Sequence, residues 1–584
     1  MMMLMSNSFE LSPMKQEILS ADGNLLIFGG PGSGKTTIAL LKAKHMINQG
    51  VLKRGQKILF LSFARATISR VEQHAKNVLQ ECNSSALEIT TYHSFIWSIL
   101  RSHGYLLVPH KIKLLLPHDA SIRFAGITDR NERDDKKRHL FSDEGLLHFD
   151  LFASKCANLL QRSKILSQIV SEAYPFIMLD EFQDTNQHEW DLITHIGQRS
   201  CLIALADPEQ RIYDFRGADP ARTRQFVEKF HPKEYDFGKE NNRSSGTDIV
   251  DFGNDLLIGR NKGKTYNHVG IHTYPPRKAN GELFSVKGHI LKRLKANAEN
   301  NEWSLAVLVP TNKLMITMSD FLGKTQQLNT GGIIPAVQHE VWVNPEGLAI
   351  AATTIAKLLE LSSIKQCRLE VLVADICEHI LGRQGDRAVS AKDQELANAL
   401  KNYFAIGDYS KPIKGKNRQK ILTECEQILT ICSDVLLTGE VATDWIKVRD
   451  ALLGCQSDCL KKLYQDALSI KLLRKGSLLN SSLSQIWRTN SNYFGATEAI
   501  RNALTQEHFA TSSKTWRGVN VMTIHKAKGK EFDEVIIFEG AFSDRFVVSD
   551  DLDKAKLVLR VAVTRARNSV IILTPKMNPS TLLF

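Results

Sequence analysis

The sequence predicts an α/β protein built on parallel sheets, with mainly helical segments inserted between the strands. Three observations carry that expectation. Short apolar runs such as Leu25 to Phe28, Ile58 to Leu61 and Ile177 to Leu179 end in glycine-rich, polar or acidic clusters, as buried parallel strands do. The first of them leads through Phe28 to Thr37 (FGGPGSGKTT) into IALLKAKHMI, whose apolar spacing suits a helix. Long stretches of helical spacing, from about residue 97 to 170 and from about 361 to 515, separate these strand-and-turn units.

Composition sets the outer bounds. The 584 residues suffice for several domains, and 43% hydrophobic content supports real cores, which excludes a disordered chain. A formal net charge of +12 favours a polyanionic partner. The nine cysteines include no C-x-x-C pair, and Cys455 and Cys459 have no second pair at metal-ligand spacing, so reduced thiols are expected. No uninterrupted apolar run reaches the length of a membrane span, and MMMLMSNSFE lacks both a basic start and a long apolar core. The expected compartment is the cytoplasm, with no membrane partner.

Taken in order, LSPMKQEILS predicts a short helix from Ser12 and Pro13, carrying Gln16. A glutamine offers a donor and an acceptor, which matches the edge of adenine, although spacing alone favours an exposed helix glutamine. Gly29, Gly34, Lys35 and Thr36 then fit G-x-x-x-x-G-K-[ST], with Gly30, Pro31, Gly32, Ser33 and Thr37 completing the turn. Backbone N–H groups of such a turn wrap phosphates, the lysine neutralises them, and the threonine hydroxyl holds magnesium. The motif names nucleotide binding and no particular reaction.

After the run ending at Leu61 come Ser62, Phe63, Ala64 and Arg65, and EITTYHSFIW places Tyr92 and His93 at a second strand end. Ligands of open parallel sheets gather outside the carboxyl ends of strands, so these groups are expected to meet a phosphate backbone. The mixed-charge DRNERDDKKRH reads as a solvated face within a helical insertion.

PFIMLDEFQDTN is the most specific stretch. Its strand ends in adjacent carboxylates: Asp180 is placed to reach the magnesium of a loop-bound nucleotide, and Glu181 to polarise a water. CLIALADPEQ follows, with Gln210 as a sensor of the terminal phosphate, and RIYDFRGAD brings Tyr213 and Phe215 into a polar loop. Exposed rings there would stack on bases, which needs no particular sequence; core packing is the alternative for Tyr213.

These segments, in this order, resemble the UvrD/Rep family of superfamily 1A DNA helicases: LSPMKQ, GGPGSGKT, LSFARA, TTYHSF, LDEFQDTN, DPEQRIYDFRGA, ENNRSS, VMTIHKAKGKEFDEV and VAVTRA, spread from residue 11 to 566. The resemblance implies two RecA-like P-loop parallel-sheet domains, each with a mainly helical insertion. Domain 1A would comprise residues 1–96 and 173–229, with insertion 1B at 97–172. Domain 2A would comprise 230–360 and 516–584, with insertion 2B at 361–515.

The resemblance also implies roles in the second half. Arg243 would reach the terminal phosphate from the second domain, and Arg565 would serve as a second arginine finger. His525 would face DNA, while Gly529 and Glu531 would face the nucleotide, the glutamate near the ribose. Two departures stand out. Asn242 occupies the place of a tyrosine that stacks on adenine, so ATP should be preferred over GTP less strongly than is usual, and Arg560 stands where a tyrosine is usual. The basic run KPIKGKNRQK reads either as a solvated loop or as a contact for duplex phosphates.

The expected activity is ATP hydrolysis with Mg2+ between two domains, driving 3′ to 5′ movement on single-stranded DNA and at its junction with duplex. The alternative is a DNA-stimulated sensor partnered by a nuclease subunit, like the helicase-like subunit of Gabija-type antiphage systems, with little unwinding of its own.

Overall fold

A computed structural model describes residues 12–584 except 64–67, 69–70, 73, 77, 79–83, 128, 208, 210–218, 239, 276–280, 328–331, 342–344, 365–368, 384–388, 408–411, 469–477, 510–515 and 548–551. The chain divides into two compact units. One comprises residues 1–100, 153–343 and 511–584, and the other 101–152 and 344–510.

The first unit holds two six-stranded sheets. Strands β1 (Leu25–Phe28), β2 (Ile58–Ser62), β3 (Leu87–Thr91), β4 (Phe176–Leu179), β5 (Cys201–Ala206) and β6 (Lys233–Asp236) form one, in the order β3-β2-β4-β5-β1-β6, with every pairing parallel. β1 is an interior strand: Leu25 to Phe28 lie between Ile203 to Ala206 on one side and Lys233 to Asp236 on the other. Near-continuous burial of β1, β2, β4 and β5 explains why these strands read as apolar runs without alternation. Helix α1 (Pro13–Ser20) starts as expected, with the Ser12 hydroxyl accepting from Lys15 N–H and proline in the first turn. Helix α2 (Lys35–Asn48) follows the glycine turn directly, and α3 (Tyr92–His103) follows β3.

The second sheet contains β7 (Val269–Tyr274), β8 (Ser304–Val309), β9 (His339–Val341), β10 (Gly518–Thr523), β11 (Phe532–Phe538) and β12 (Ala566–Pro575). Their order is β9-β10-β8-β11-β12-β7, again all parallel. Helices α4 (Ile249–Leu257) and α7 (Leu552–Val563) pack on it through Ile249, Phe252, Leu559 and Val563. The apolar run before Arg565 is helical. The α/β reading with parallel sheets therefore holds for both halves of this unit.

The second unit is mainly helical. Its longest helix, α5 (Pro345–Ile364), and α6 (Leu369–Gly382) contribute Ile355, Leu359, Ile376 and Cys377 to a core that also holds Trp445. The segment 101–152 joins this unit: the Ser121 hydroxyl donates to the Gly382 carbonyl at 2.9 Å. Among the described residues, no helix is long and apolar enough to cross a membrane, and no His, Cys, Asp and Glu cluster forms a metal site.

Candidate functional site

Parallel strands deliver the polar residues of the first sheet to one edge. The glycine turn after β1, Ser62 at the end of β2, Tyr92 after β3, Asp180 after β4 and Asp207 after β5 all lie at carboxyl ends. In the turn, Gly32 and Gly34 have φ of 77° and 93°, which glycine alone adopts without strain. A Cβ on Gly29 would come within 2.5 Å of Ser33 Oγ, and one on Gly32 within 2.6 Å of Arg243 Cβ. Ser33 Oγ is buried and has no hydrogen-bond partner among the described residues. Lys35 Nζ folds onto the turn, donating to the carbonyls of Gly29 and Gly30. Thr36 and Thr37 follow on the first turn of α2.

Charge concentrates around this lysine. Burial lowers its pKa; Asp207, Glu181 and Asp180 oppose that shift without cancelling it, and Arg243 adds to it. A bound polyanion would favour the charged form. Asp180 is buried and accepts from the Ser62 hydroxyl at 3.0 Å. Glu181 has left-handed backbone, φ 54° and ψ 38°, a strained conformation for a side chain of its size. Burial disfavours its ionised form, but Lys528, Lys35, Arg565 and the Gln183 amide outweigh that and hold its carboxyl below the ordinary range.

The second sheet meets this edge with the amino ends of its strands. Phe532 pairs with Ala566, so Glu531 and Arg565 stand side by side where β11 and β12 begin, and Phe532 N–H donates to the Arg565 carbonyl at 2.9 Å. Gly529, with φ 76°, precedes them. Arg565 is 2% exposed; its Nε donates to Val561 O at 2.9 Å and its Nη2 to Thr564 Oγ1 at 3.2 Å. Arg243 Nη2 pairs with Glu531 at 2.8 Å, while its Nη1 donates to Thr564 O at 3.0 Å. Asn242 is exposed, and its backbone N–H donates to Gly32 O at 2.8 Å.

The residues expected to touch a polymer divide into three groups. Phe63 is partly exposed and stacks on Tyr92 at 4.3 Å between ring centroids; His93 and His525 are also partly exposed. Burial lowers the His525 pKa, and Lys554 and Lys528 add to the shift, so its ring is held neutral. Ser62 and Tyr92 instead face inward: the serine hydroxyl is engaged by Asp180, and the tyrosine ring is covered by Phe63. Arg65, Gln210, Tyr213 and Phe215 lie outside the described residues. Gln16 is exposed on α1.

Three further residues join the site without having been given a role in it from the sequence, where only Arg560 stood out, as a departure at the place of a usual tyrosine. Lys528 is buried and forms ion pairs with Asp184 and, at 3.7 Å, with Glu181. Gln183 donates to Glu181 Oε2 at 2.6 Å and accepts from Asp207 N–H at 2.9 Å. Arg560 pairs with Glu209 at 2.7 Å. Each sits inside a motif already singled out, and a charged or amide residue embedded in an apolar strand-end sequence is the one available hint.

Family models place the geometry. The UvrD/REP helicase N-terminal domain matches residues 12–144 and 135–231, and the UvrD-like helicase C-terminal domain matches 389–576. A Mycoplasma pneumoniae protein named probable DNA helicase II homolog is 23% identical over 94% of this chain and 81% of its own length. The ATP-dependent DNA helicase PcrA of Staphylococcus epidermidis is 21% identical over 96% and 82%, and the DNA helicase II of Rickettsia typhi 20% over 96% and 91%. Two models of one family thus span well over half of the sequence, and the chain belongs to the UvrD/Rep helicases, ATP-hydrolysing DNA helicases with two RecA-like domains.

Proposed function

We propose that the chain is a motor that moves 3′ to 5′ on single-stranded DNA and opens duplex at the junction, driven by ATP hydrolysis between its two sheets. The observation that carries this is the shared charge cluster. Glu181, at the carboxyl edge of one sheet, lies in the field of Lys35 from its own domain and of Lys528 and Arg565 from the other. Phosphoryl transfer depends on positioning and charge stabilisation, and a site divided in this way couples hydrolysis to the approach of the two halves.

The residues fit a magnesium nucleotide. The buried, unpartnered Ser33 hydroxyl and the turn whose glycines admit no Cβ at Gly29 or Gly32 form a cradle lined by backbone. Gly29 to Thr37 would hold the phosphates, and Thr36 and Asp180 the magnesium, which when bound supplies charge stabilisation to the phosphates. Lys35 neutralises the phosphates, Glu181 accepts the proton of the attacking water, and Gln210, Arg243 and Arg565 report on and stabilise the terminal phosphate. Gln16 faces the base, and Gly529 and Glu531 the sugar. Phe63, His93, His525, Arg65, Tyr213 and Phe215 form the DNA face, with Ser62 and Tyr92 supporting it from beneath.

The division into 1A, 1B, 2A and 2B at the boundaries given above belongs to this reading, as does the polarity of movement. ATPase assays with and without single-stranded DNA, alongside strand displacement on 3′-tailed and 5′-tailed duplexes, test it. Stimulation with displacement of the 3′-tailed substrate alone is expected. Displacement from the 5′ tail would reverse the direction, and stimulation without displacement would remove the unwinding.

A further inference from the structure

Arg560 occupies a prepared seat. It is 1% exposed on α7, where its Nη2 contacts Glu209 Oε2 at 2.7 Å and Asn254 Oδ1 at 3.1 Å, and its Nη1 lies 3.8 Å from Asp207 Oδ2. Asn254 belongs to α4, and the residue before it, Gly253, is where the arginine stem passes. A Cβ there would sit 3.3 Å from Arg560 Cγ. Asp207 and Glu209 come from the other sheet, at the end of β5, so the guanidinium ties that strand end to α4 and α7.

The strand end leads on to the reacting centre. Asp207 Oδ1 accepts from Glu209 N–H at 3.1 Å, folding the segment on itself, and Asp207 N–H donates to Gln183 Oε1 at 2.9 Å. The Gln183 amide then donates to Glu181 Oε2 at 2.6 Å. Glu181 sits on left-handed backbone, which holds only where its surroundings over-determine it. The hydrogen bond from Gln183 is one of the contacts that aim its carboxylate.

We propose that Arg560 is a positioning residue for ATP hydrolysis: by holding Glu209, whose backbone N–H donates to Asp207, it fixes the relay through Gln183 that orients the Glu181 carboxylate toward water. The assignment rests on the reading of Glu181 as the water-polarising group. A tyrosine at this position could offer neither the charge nor the terminal nitrogen that contacts Glu209 and Asn254 together. The chain therefore carries its own link between the second domain and the hydrolytic carboxylate.

The test uses the full chain, with kcat and KM for ATP measured at saturating single-stranded DNA, together with DNA affinity and the thermal midpoint. Arg560→Met is expected to lower kcat about tenfold with KM and DNA affinity within about twofold, and Arg560→Lys to recover part of the loss. Glu209→Gln, a change at an exposed partner, should lower kcat about threefold on its own. In a Gln183→Ala background, where the relay is already cut, Arg560→Met should cost less than about twofold more. Fully multiplicative losses, or a lowered midpoint with unchanged kcat, would overturn the proposal. If Arg560→Met does not fold, Glu209→Gln alone and in the Gln183→Ala background decides by the same criterion. Glu181→Gln separates the two readings. Normal turnover there removes Glu181 from the chemistry, whereas an inactive Glu181→Gln beside wild-type kcat in Arg560→Met and Glu209→Gln removes Arg560 alone.

Discussion

Arg243 and Glu531 stand 2.8 Å apart, and the same guanidinium reaches the Thr564 carbonyl at 3.0 Å through its other terminal nitrogen. The arginine is thus held at two points, beside the glycine turn whose Gly32 it overlies. Lysine is a single point charge and cannot reproduce this fork. Arg243→Lys is therefore expected to lose turnover nearly as far as Arg243→Ala, by about 10³-fold or more, as removal of an arginine finger does. Steady-state ATPase with single-stranded DNA checks it, and near-wild-type turnover in the lysine variant would take Arg243 out of the site.

Lys528 is buried against two carboxylates, Asp184 and Glu181. Among the charges that favour ionised Glu181 it ranks first, against the burial that disfavours it. The stabilisation from this depressed carboxylate is present above the ordinary carboxylate range and lost as pH falls through the lowered value. Removing the cation raises the Glu181 pKa, so Lys528→Met should move the acid limb of the kcat profile to higher pH. It should also destabilise the fold by about 3 kcal/mol, because Asp184 is left buried without its partner. A pH–rate profile with an unmoved acid limb would contradict the coupling.

Asn242 is exposed, and its backbone N–H anchors it to the phosphate turn. Its side-chain nitrogen lies 3.7 Å from where a Cβ on Gly34 would be, so a larger side chain at this position is close enough to cover a bound base. Asn242→Tyr is expected to raise the ratio of kcat/KM for ATP over GTP several-fold, since stacking on an aromatic is worth roughly 1 to 3 kcal/mol per base. Competition between the two nucleotides in one assay reads the ratio; an unchanged ratio would mean that the base lies elsewhere.

Asp375, in the helical unit, has a carboxylate oxygen buried without a hydrogen bond among the described residues. Burial, with Glu378 beside it, pushes its pKa up to about 7 despite Lys357 and Arg501. The folded chain then holds a proton that the unfolded chain has released, so stability falls as pH rises from the ordinary carboxylate range through about 7. Asp375→Asn should therefore stabilise this unit at pH 8 by about 1 to 3 kcal/mol, the cost of an unsatisfied buried polar group. At pH 5 it should change little. Thermal unfolding of both proteins at the two pH values gives the comparison, and an equal shift at both would refute the assignment.

Much of the site was legible in one dimension. Leu25 to Phe28, Ile58 to Leu61 and Ile177 to Leu179 are apolar throughout because parallel strands are covered on both faces, and the polar residues that follow them fall at carboxyl ends by topology alone. Glycine, lysine and acid at these ends carry chemistry that spacing can reveal. Ser62 and Tyr92 share the same strand-end position, yet they face inward. Strand-end position specifies an edge of the sheet, whereas the direction of a side chain depends on its neighbours: Asp180 for the serine and the Phe63 ring for the tyrosine.

The sequence by itself determined the α/β architecture, the phosphate turn, the adjacent carboxylates and the family, because each is written in local spacing and residue type. Tertiary structure alone decided the partnerships. Lys528 and Asp184 are separated by 344 positions, Arg243 and Glu531 meet only where two strands start in register, and Arg560 reaches Glu209 from a different sheet. It also decided that residues 101–152 share a unit with 344–510. Ion pairs and packing act through distance in space, and a buried charge selects its partner by desolvation. Neither leaves a periodic trace along the chain.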